Sequence, residues 1–108
     1  MDKEKLKSYL KSLSEDELNA ILDQRDEQNF DAAWCQVYEV VDEVEVDFDG
    51  ESIFRELSEA VSQHEIVSYI LDDLLLLEKS DAMGISPPFV EYLKSCYDSG
   101  KVPHKWKG

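Results

Sequence analysis

Acidic side chains between residues 45 and 56 have the spacing of a calcium-binding loop. The segment from Glu45 to Glu56 reads E-x-D-x-D-G-x5-E, which places carboxylates where an EF-hand presents its ligands. However, Glu45 stands where aspartate is usual, and the hydrophobic residue expected at Ser52 is displaced by one, to Ile53. A solvated acidic turn, or a turn that contacts a partner, explains the same residues. We expect no metal and no cofactor, and keep a calcium-binding helix–loop–helix module as an alternative.

Cysteine and histidine, the residues of nucleophilic and zinc sites, have no catalytic or ligand spacing here. His64 and His104 are the only histidines, and neither stands three or four residues from a cysteine or from the other histidine. Cys35 and Cys96 lie in segments of apolar periodicity, so we expect both to face the core as free thiols. Acidic surroundings would raise a thiol pKa and disfavour the reactive thiolate. An enzyme is therefore the least favoured class.

Asp72 and Asp73 are adjacent acids that could suggest a paired-carboxylate site. Successive residues of a helix point about 100° apart, so the two carboxylates would diverge. We expect them on the solvated edge of a helix. The chain has only four glycines and no glycine-rich phosphate loop.

The acidic residues are concentrated in the middle of the chain. The formal net charge is −14, and residues 26–93 hold 18 Asp or Glu against two bases, Arg55 and Lys79. Direct nucleic-acid binding is disfavoured, because phosphate recognition depends on Lys and Arg. Carboxylates spaced about one helical turn apart resemble a row of phosphates, and they complement a protein built to hold nucleic acid. A merely solubilising acidic face is the simpler alternative.

Helices must position these residues, since nearly every segment has helical periodicity. The pattern predicts an all-α fold, a compact bundle of about five to six helices. The β-branched residues between 40 and 46 leave a strand there as a minority alternative. The predicted helices cover residues 3–13, a second segment from a Ser14–Glu17 capping box to about Gln28, a third from a cap at Asn29 or Asp31 to about Val44, then 53–61, 64–83, and a last from Ser86-Pro87-Pro88 to Gly100.

The third helix carries the candidate binding surface. Apolar residues repeat along one face from Phe30 to Val44, while acids occupy the opposite face and flanks. Three further acids and an aromatic follow in the predicted turn of residues 47–52. The candidate partner-binding residues are Tyr38, Glu39, Asp42, Glu43, Glu45, Asp47, Phe48, Asp49 and Glu51.

Length and composition fit one domain. The chain has 108 residues, of which 43% are hydrophobic, enough for one core and too few for two. We expect no leader, because no charged-then-apolar segment opens the sequence, and its longest purely apolar run, residues 74–77, is far shorter than the roughly 20 residues of a membrane span. We expect a single cytoplasmic domain over residues 1–108 that contacts no membrane, with a short basic tail at residues 101–108. A tail of that composition is more often mobile, and the sequence leaves open whether this one is ordered.

In size, helical pattern and acidity the whole chain resembles bacterial immunity proteins, which neutralise the nuclease toxins of colicin and contact-dependent growth inhibition systems. Its ending, from Tyr97-Asp98-Ser99-Gly100-Lys101 to Lys105-Trp106-Lys107-Gly108, is similar to the basic, glycine-punctuated tail of colicin DNase immunity proteins. The partner-binding Tyr-Tyr-Pro segment of the colicin family has no counterpart, because Ser68-Tyr69 falls inside a long predicted helix. No family residue is therefore transferred.

The resemblance implies a cognate protein toxin as partner. Our hypothesis is a monomeric or weakly dimeric immunity protein that binds a basic nuclease toxin through the acids of the third helix and the following turn. Tyr38 and Phe48 would be its aromatic anchors. A phage or plasmid DNA mimic that inhibits a nucleic-acid-binding protein is the first alternative, and the calcium module is the second.

Overall fold

The computed structural model of the protein describes residues 3–106. This part of the chain forms six α-helices and no strand. The all-α prediction is confirmed, and the strand alternative for residues 40–46 is wrong. The helices are α1 Lys3–Ser12, α2 Glu15–Arg25, α3 Gln28–Val41, α4 Gly50–Ser58, α5 His64–Met83 and α6 Pro88–Asp98.

The clearest local signals in the sequence are confirmed at α2 and α5. Ser14 Oγ accepts a hydrogen bond from the Glu17 N–H at 3.1 Å, and Glu17 Oε1 accepts one from the Ser14 N–H at 3.1 Å. This is the predicted capping box, which satisfies two N–H groups at the start of α2. The helix α5 has its predicted bounds, and it ends at Gly84, whose φ of 76° is left-handed. Glycine adopts that conformation without a Cβ penalty.

The predicted helix ends around the α2–α3 connection and at the start of α6 are wrong. The helix α2 ends at Arg25, and α3 begins at Gln28 after an N-cap at Glu27 that makes no side-chain capping bond. Neither Asn29 nor Asp31 caps α3. The N-cap of α6 is Pro87, with Pro88 in the first helical turn, where its missing N–H leaves no helical bond unmade.

The predicted turn at residues 47–52 is correct only in its first half. The helix α3 ends at Val41, and residues 42–49 form an irregular connection. Asp49 is then the N-cap of α4, because its carboxylate accepts from the Ser52 N–H at 3.1 Å. Gly50 and the two residues after it are therefore helical.

The helix α5 contributes to two buried clusters. One cluster joins α5 to α1, α2 and α4, and the other joins it to α3 and α6. Complete burial of one such apolar side chain stabilises the fold by about 1.5–3 kcal/mol. None of the described helices is long and apolar enough to span a membrane.

Residues 101–106, the described part of the basic tail, pack against the helices. Val102 is 1% exposed, and the Trp106 ring lies 5.2 Å from the Phe89 ring. The Tyr92 hydroxyl accepts from two N–H groups of the tail, at 2.9 Å from Lys105 N and 3.2 Å from His104 N. The apolar residues within the basic tail therefore hold it in place. Lys107 and Gly108 lie outside the described residues.

Candidate functional site

Asp73, predicted on a solvated edge, is instead the most connected buried acid of the described chain. Its side chain is completely buried. It accepts hydrogen bonds from the Arg25 guanidinium at 2.7 Å on each oxygen, from the Trp34 indole at 2.9 Å and from the Tyr97 hydroxyl at 2.5 Å. A buried carboxylate is tolerated only when its lone pairs are satisfied in this way. We call Arg25, Trp34, Asp73 and Tyr97 the buried network.

The cation of the buried network is also buried. Arg25 is 6% exposed, and its guanidinium also donates to the Pro103 carbonyl at 2.9 Å. The rings of Phe30 and Tyr69 lie 4.8 Å and 5.1 Å from the guanidinium carbon. Burial alone would lower the pKa of Arg25, but its hydrogen bonds to Asp73 and the charge of that carboxylate outweigh burial and raise it.

The network joins four helices and the C-terminal segment at one point. It draws Arg25 from α2, Trp34 from α3, Asp73 from α5 and Tyr97 from α6. Burial and the charge of Asp73 raise the pKa of Tyr97 well above its usual value. The phenol therefore stays protonated at neutral pH and remains a hydrogen-bond donor.

A surface cleft of about 210 Å³ opens beside this network, between α2, α3 and α5. Aromatic rings and carboxylates alternate around it. Its residues, which we call the α3–α5 cleft, are Arg25, Asp26, Phe30, Asp31, Trp34, Cys35, Tyr69 and Asp72.

The carboxylates of the α3–α5 cleft are not neutralised by the arginine in its wall. Arg25 is already paired with Asp73, and within residues 3–106 neither Asp26, Asp31 nor Asp72 forms an ion pair. Partial burial and the adjacent charge of Asp73 raise the pKa of Asp72. Asp26 accepts only a long hydrogen bond, 3.4 Å from the Tyr69 hydroxyl. The cleft thus has an excess of negative charge.

Tyr38, one of the predicted binding residues, adjoins this cleft. Tyr38 is 39% exposed, and its ring stacks on Trp34 at 5.4 Å with an angle of 17° between the planes. A hydrogen bond to Asp42, together with the charge of that carboxylate, raises the pKa of the Tyr38 hydroxyl. Glu39 and Glu43 are exposed to solvent.

A base from a different helix reaches this face, which the sequence did not reveal. The Lys79 ammonium of α5 lies 5.8 Å from the Tyr38 ring centre and donates to the Asp42 carbonyl at 3.1 Å. It binds a backbone oxygen and forms no ion pair with a carboxylate of the described chain. The side-chain charges of this face therefore remain largely uncompensated.

The predicted residues of the following turn form a second group. Glu45 and Asp47 are exposed, whereas Phe48 is half-buried against the core cluster of α1, α2, α4 and α5. Asp49 caps α4, and Glu51 pairs with Arg55 at 2.5 Å across one helical turn. Part of this acidic turn is thus engaged within the fold.

The same geometry does not fit a calcium loop. Each carboxylate oxygen of Asp49 accepts a hydrogen bond from Ser52, one from its N–H at 3.1 Å and one from its hydroxyl at 2.8 Å. Glu56, the twelfth position of the loop pattern, lies 3.7 Å from the Lys3 ammonium. Within the described residues, no three acidic, histidine or cysteine side chains are grouped so that they could hold a metal.

The cysteines and histidines of the described chain are not paired with each other. Cys35 is exposed, so its predicted place in the core is wrong, and Cys96 is half-buried; both are free thiols. Partial desolvation and the charges of Asp31 and Glu39 raise the pKa of Cys35. His64 stacks on Phe54 at 5.9 Å, and Nδ1 of His104 lies 2.9 Å from the Val102 carbonyl oxygen.

Sequence reasoning missed the buried network, although one signal pointed to it. Asp73 follows Ile66 by seven residues and Ile70 by three, which puts it on the apolar face of α5. An acid on that face needs a buried cation. Arg25 lies at the end of the apolar face of α2, and it is therefore a candidate for that buried cation.

The comparisons with known proteins identify a family. The model of a family described as "Immunity protein PIM1" matches residues 1–104, which is nearly the whole chain. No curated protein and no solved structure matches the sequence. The chain therefore belongs to the PIM1 family of immunity proteins.

Proposed function

We propose that this member of the PIM1 family neutralises a basic nuclease toxin by binding it through an acidic surface. That surface combines the end of α3, the connection of residues 42–49 and the start of α4: Tyr38, Glu39, Asp42, Glu43, Glu45, Asp47, Phe48, Asp49 and Glu51. Family membership supports a toxin as the partner, and the nuclease and the surface are our proposal.

The observation that carries the proposal is an exposed aromatic beside unpaired carboxylates. Tyr38 is held by its stack on Trp34, so little side-chain entropy is lost when a partner covers it. Asp42 accepts a hydrogen bond from the Tyr38 hydroxyl, and Glu39 and Glu43 are exposed close by in the chain. None of these three acids forms an ion pair inside residues 3–106. Aromatic anchors ringed by polar groups are typical of interface hot spots.

The carboxylates would act mainly on the rate of association. A row of negative charges attracts the cationic cleft in which a nuclease holds phosphates, and this steering weakens as salt screens it. Once bound, the same charges would occupy the phosphate positions and block the substrate. No catalytic step by the immunity protein is needed.

The proposed mechanism also has consequences for the oligomeric state and the cellular location of the protein. We propose a single domain that binds the toxin as a monomer or weak dimer in the cytoplasm. One acidic surface per chain is sufficient for the mechanism, and it requires no cofactor, membrane or direct contact with nucleic acid.

The experiment compares two variants that remove the same number of acids. The protein encoded directly upstream of this gene is purified as the toxin, and its binding is measured at low and moderate salt. The test variant is E39Q/D42N/E43Q, and the control is E4Q/E15Q/E59Q, whose exposed acids lie on α1, α2 and beside α4. DNA and RNA cleavage by the toxin is assayed with each variant added.

The expected result is a slower association for the α3 variant alone. Because steering is lost, the association rate of E39Q/D42N/E43Q at low salt should be about tenfold or more below that of the wild type. The two rates should converge as the salt concentration rises. Equal binding by the two variants would refute the acidic surface. A toxin that binds but cleaves neither DNA nor RNA would refute the nuclease and leave the family function intact.

A further inference from the structure

We infer that the α3–α5 cleft receives an arginine side chain of the cognate toxin. The inference rests on the proposed function and names one contact within it. Trp34 lines the cleft and stacks on Tyr38, so a toxin seated on the proposed surface would reach the cleft. None of its residues belongs to the nine predicted from sequence.

The size of the cleft suits one side chain. Its volume of about 210 Å³ is below the roughly 300–1,000 Å³ of sites for small-molecule ligands. It is bounded by three different helices, so it is a pocket between elements and not a surface dip on one of them. An interface anchor from a partner fits such a recess.

The walls have the chemistry that binds guanidinium. Phe30, Trp34 and Tyr69 line the cleft, and two of these rings already hold the Arg25 guanidinium, at 4.8 Å and 5.1 Å. Aromatic faces attract a cation through their quadrupole, and arginine loses less hydration than lysine in such a place. The contacts of the Arg25 guanidinium with these two rings thus illustrate how the cleft would hold a second guanidinium, from the toxin.

The α3–α5 cleft carries more negative than positive charge. Asp73 neutralises Arg25, which leaves the carboxylates of Asp26, Asp31 and Asp72 at the rim. The raised pKa of Asp72 reflects partial burial and repulsion by Asp73, and an incoming cation would relieve that repulsion. These three acids come from separate parts of the chain. The arginine guanidinium has five N–H donors in a plane, so it can donate hydrogen bonds to more of them than a lysine ammonium can.

The test removes two rim charges without touching the buried network. The variant D31N/D72N is compared with E4Q/E15Q, which removes two exposed acids elsewhere. Affinity for the purified upstream-encoded toxin is measured for each. Each arginine and lysine of the toxin is then changed to alanine, and double-mutant cycles are run against D31N/D72N. Circular dichroism and thermal unfolding confirm that both variants are folded.

We expect D31N/D72N to weaken toxin binding by about tenfold or more, as for loss of an interface anchor. One toxin arginine should show strong coupling, so that its alanine variant costs little further affinity in the D31N/D72N background. Replacement of that arginine by lysine should retain only part of the affinity.

Three outcomes would overturn the inference, and they separate it from the proposed function. If E39Q/D42N/E43Q weakens binding but D31N/D72N behaves like its control, the acidic surface stands and the cleft contact falls. If the coupled toxin residue is a lysine, or if every cation is additive with D31N/D72N, the arginine assignment falls. If the wild-type protein does not bind the toxin, both proposals fall.

Discussion

At the scale of single residues, the buried network shows why a charge can lie inside a small helical protein. Moving an ionised carboxylate out of water costs several kcal/mol, by order of magnitude, unless partners replace the solvent. Asp73 has four hydrogen bonds from three side chains. The pair that it forms with Arg25 is thus satisfied, and its main consequence is to fix how α2, α3, α5 and α6 meet.

Removing the anion alone should destabilise the fold strongly. Asp73→Ala leaves the Arg25 guanidinium buried without its charge partner, so we expect a loss of about 3–5 kcal/mol in the free energy of unfolding. Equilibrium urea unfolding followed by circular dichroism measures it.

The neighbouring acid provides the control for this prediction. Asp72→Asn should leave stability unchanged or raise it, because the ionised Asp72 is repelled by Asp73. A loss below about 1 kcal/mol for Asp73→Ala, a size typical of an ordinary hydrogen bond, would show that the network does not stabilise the fold as argued.

At the scale of elements, two left-handed glycines end α5 and α6 in different surroundings. Gly84 has φ 76° with no atom within 4 Å of the place of an added Cβ. Gly100 has φ 74°, and a Cβ there would clash with the Lys5 side chain and lie 3.0 Å from the Lys5 backbone carbon. The close approach of α1 to the end of α6 therefore requires a glycine for two reasons.

Alanine substitution should separate these two reasons. In Gly84→Ala the added Cβ meets no atom, and only the left-handed backbone conformation is unfavourable. We therefore expect the free energy of unfolding to fall by about 1–2 kcal/mol. Gly100→Ala adds a clash with the Lys5 Cβ, which is fixed to the α1 backbone, so α1 must shift and the cost should be clearly larger. Thermal and urea unfolding of the two variants measure the difference. Equal losses would mean that α1 is not packed as closely on Gly100 as the structure indicates.

At the scale of the whole molecule, the net charge of −14 opposes folding and favours partners of the opposite sign. The side chains of most acids in residues 3–106 are exposed, and the Arg25–Asp73 pair is buried. Most carboxylates thus face solvent and repel each other. Such a cost is consistent with a surface kept for binding.

Salt should therefore stabilise this protein. Raising the ionic strength from about 0.01 M to 0.15 M shortens the screening length from about 30 Å to 8 Å, which weakens the repulsion in the folded state. We expect the thermal midpoint to rise with sodium chloride and to depend less on salt in E39Q/D42N/E43Q. A midpoint that is indifferent to salt would show that self-repulsion does not limit stability. Differential scanning calorimetry gives both values.

The sequence by itself determined the helical elements and the acidic surface. Helical periodicity, the Ser14–Glu17 capping box and the glycine after α5 are local patterns, and local backbone chemistry decides them. The exposure of Glu39 followed for the same reason, since a charge opposite an apolar stripe faces water, whereas Asp42 and Glu43 are exposed in the connection after α3. Whether these acids bind a toxin stays a prediction.

Only the tertiary structure decided which side chains meet. Arg25 and Asp73 are 48 positions apart, and periodicity within one helix cannot identify a partner on another. Cys35 was misplaced because it precedes the buried Val37 by two residues, about 200° around α3. The α3–α5 cleft exists because three helices pack at one place, and that depends on the shape of the whole core.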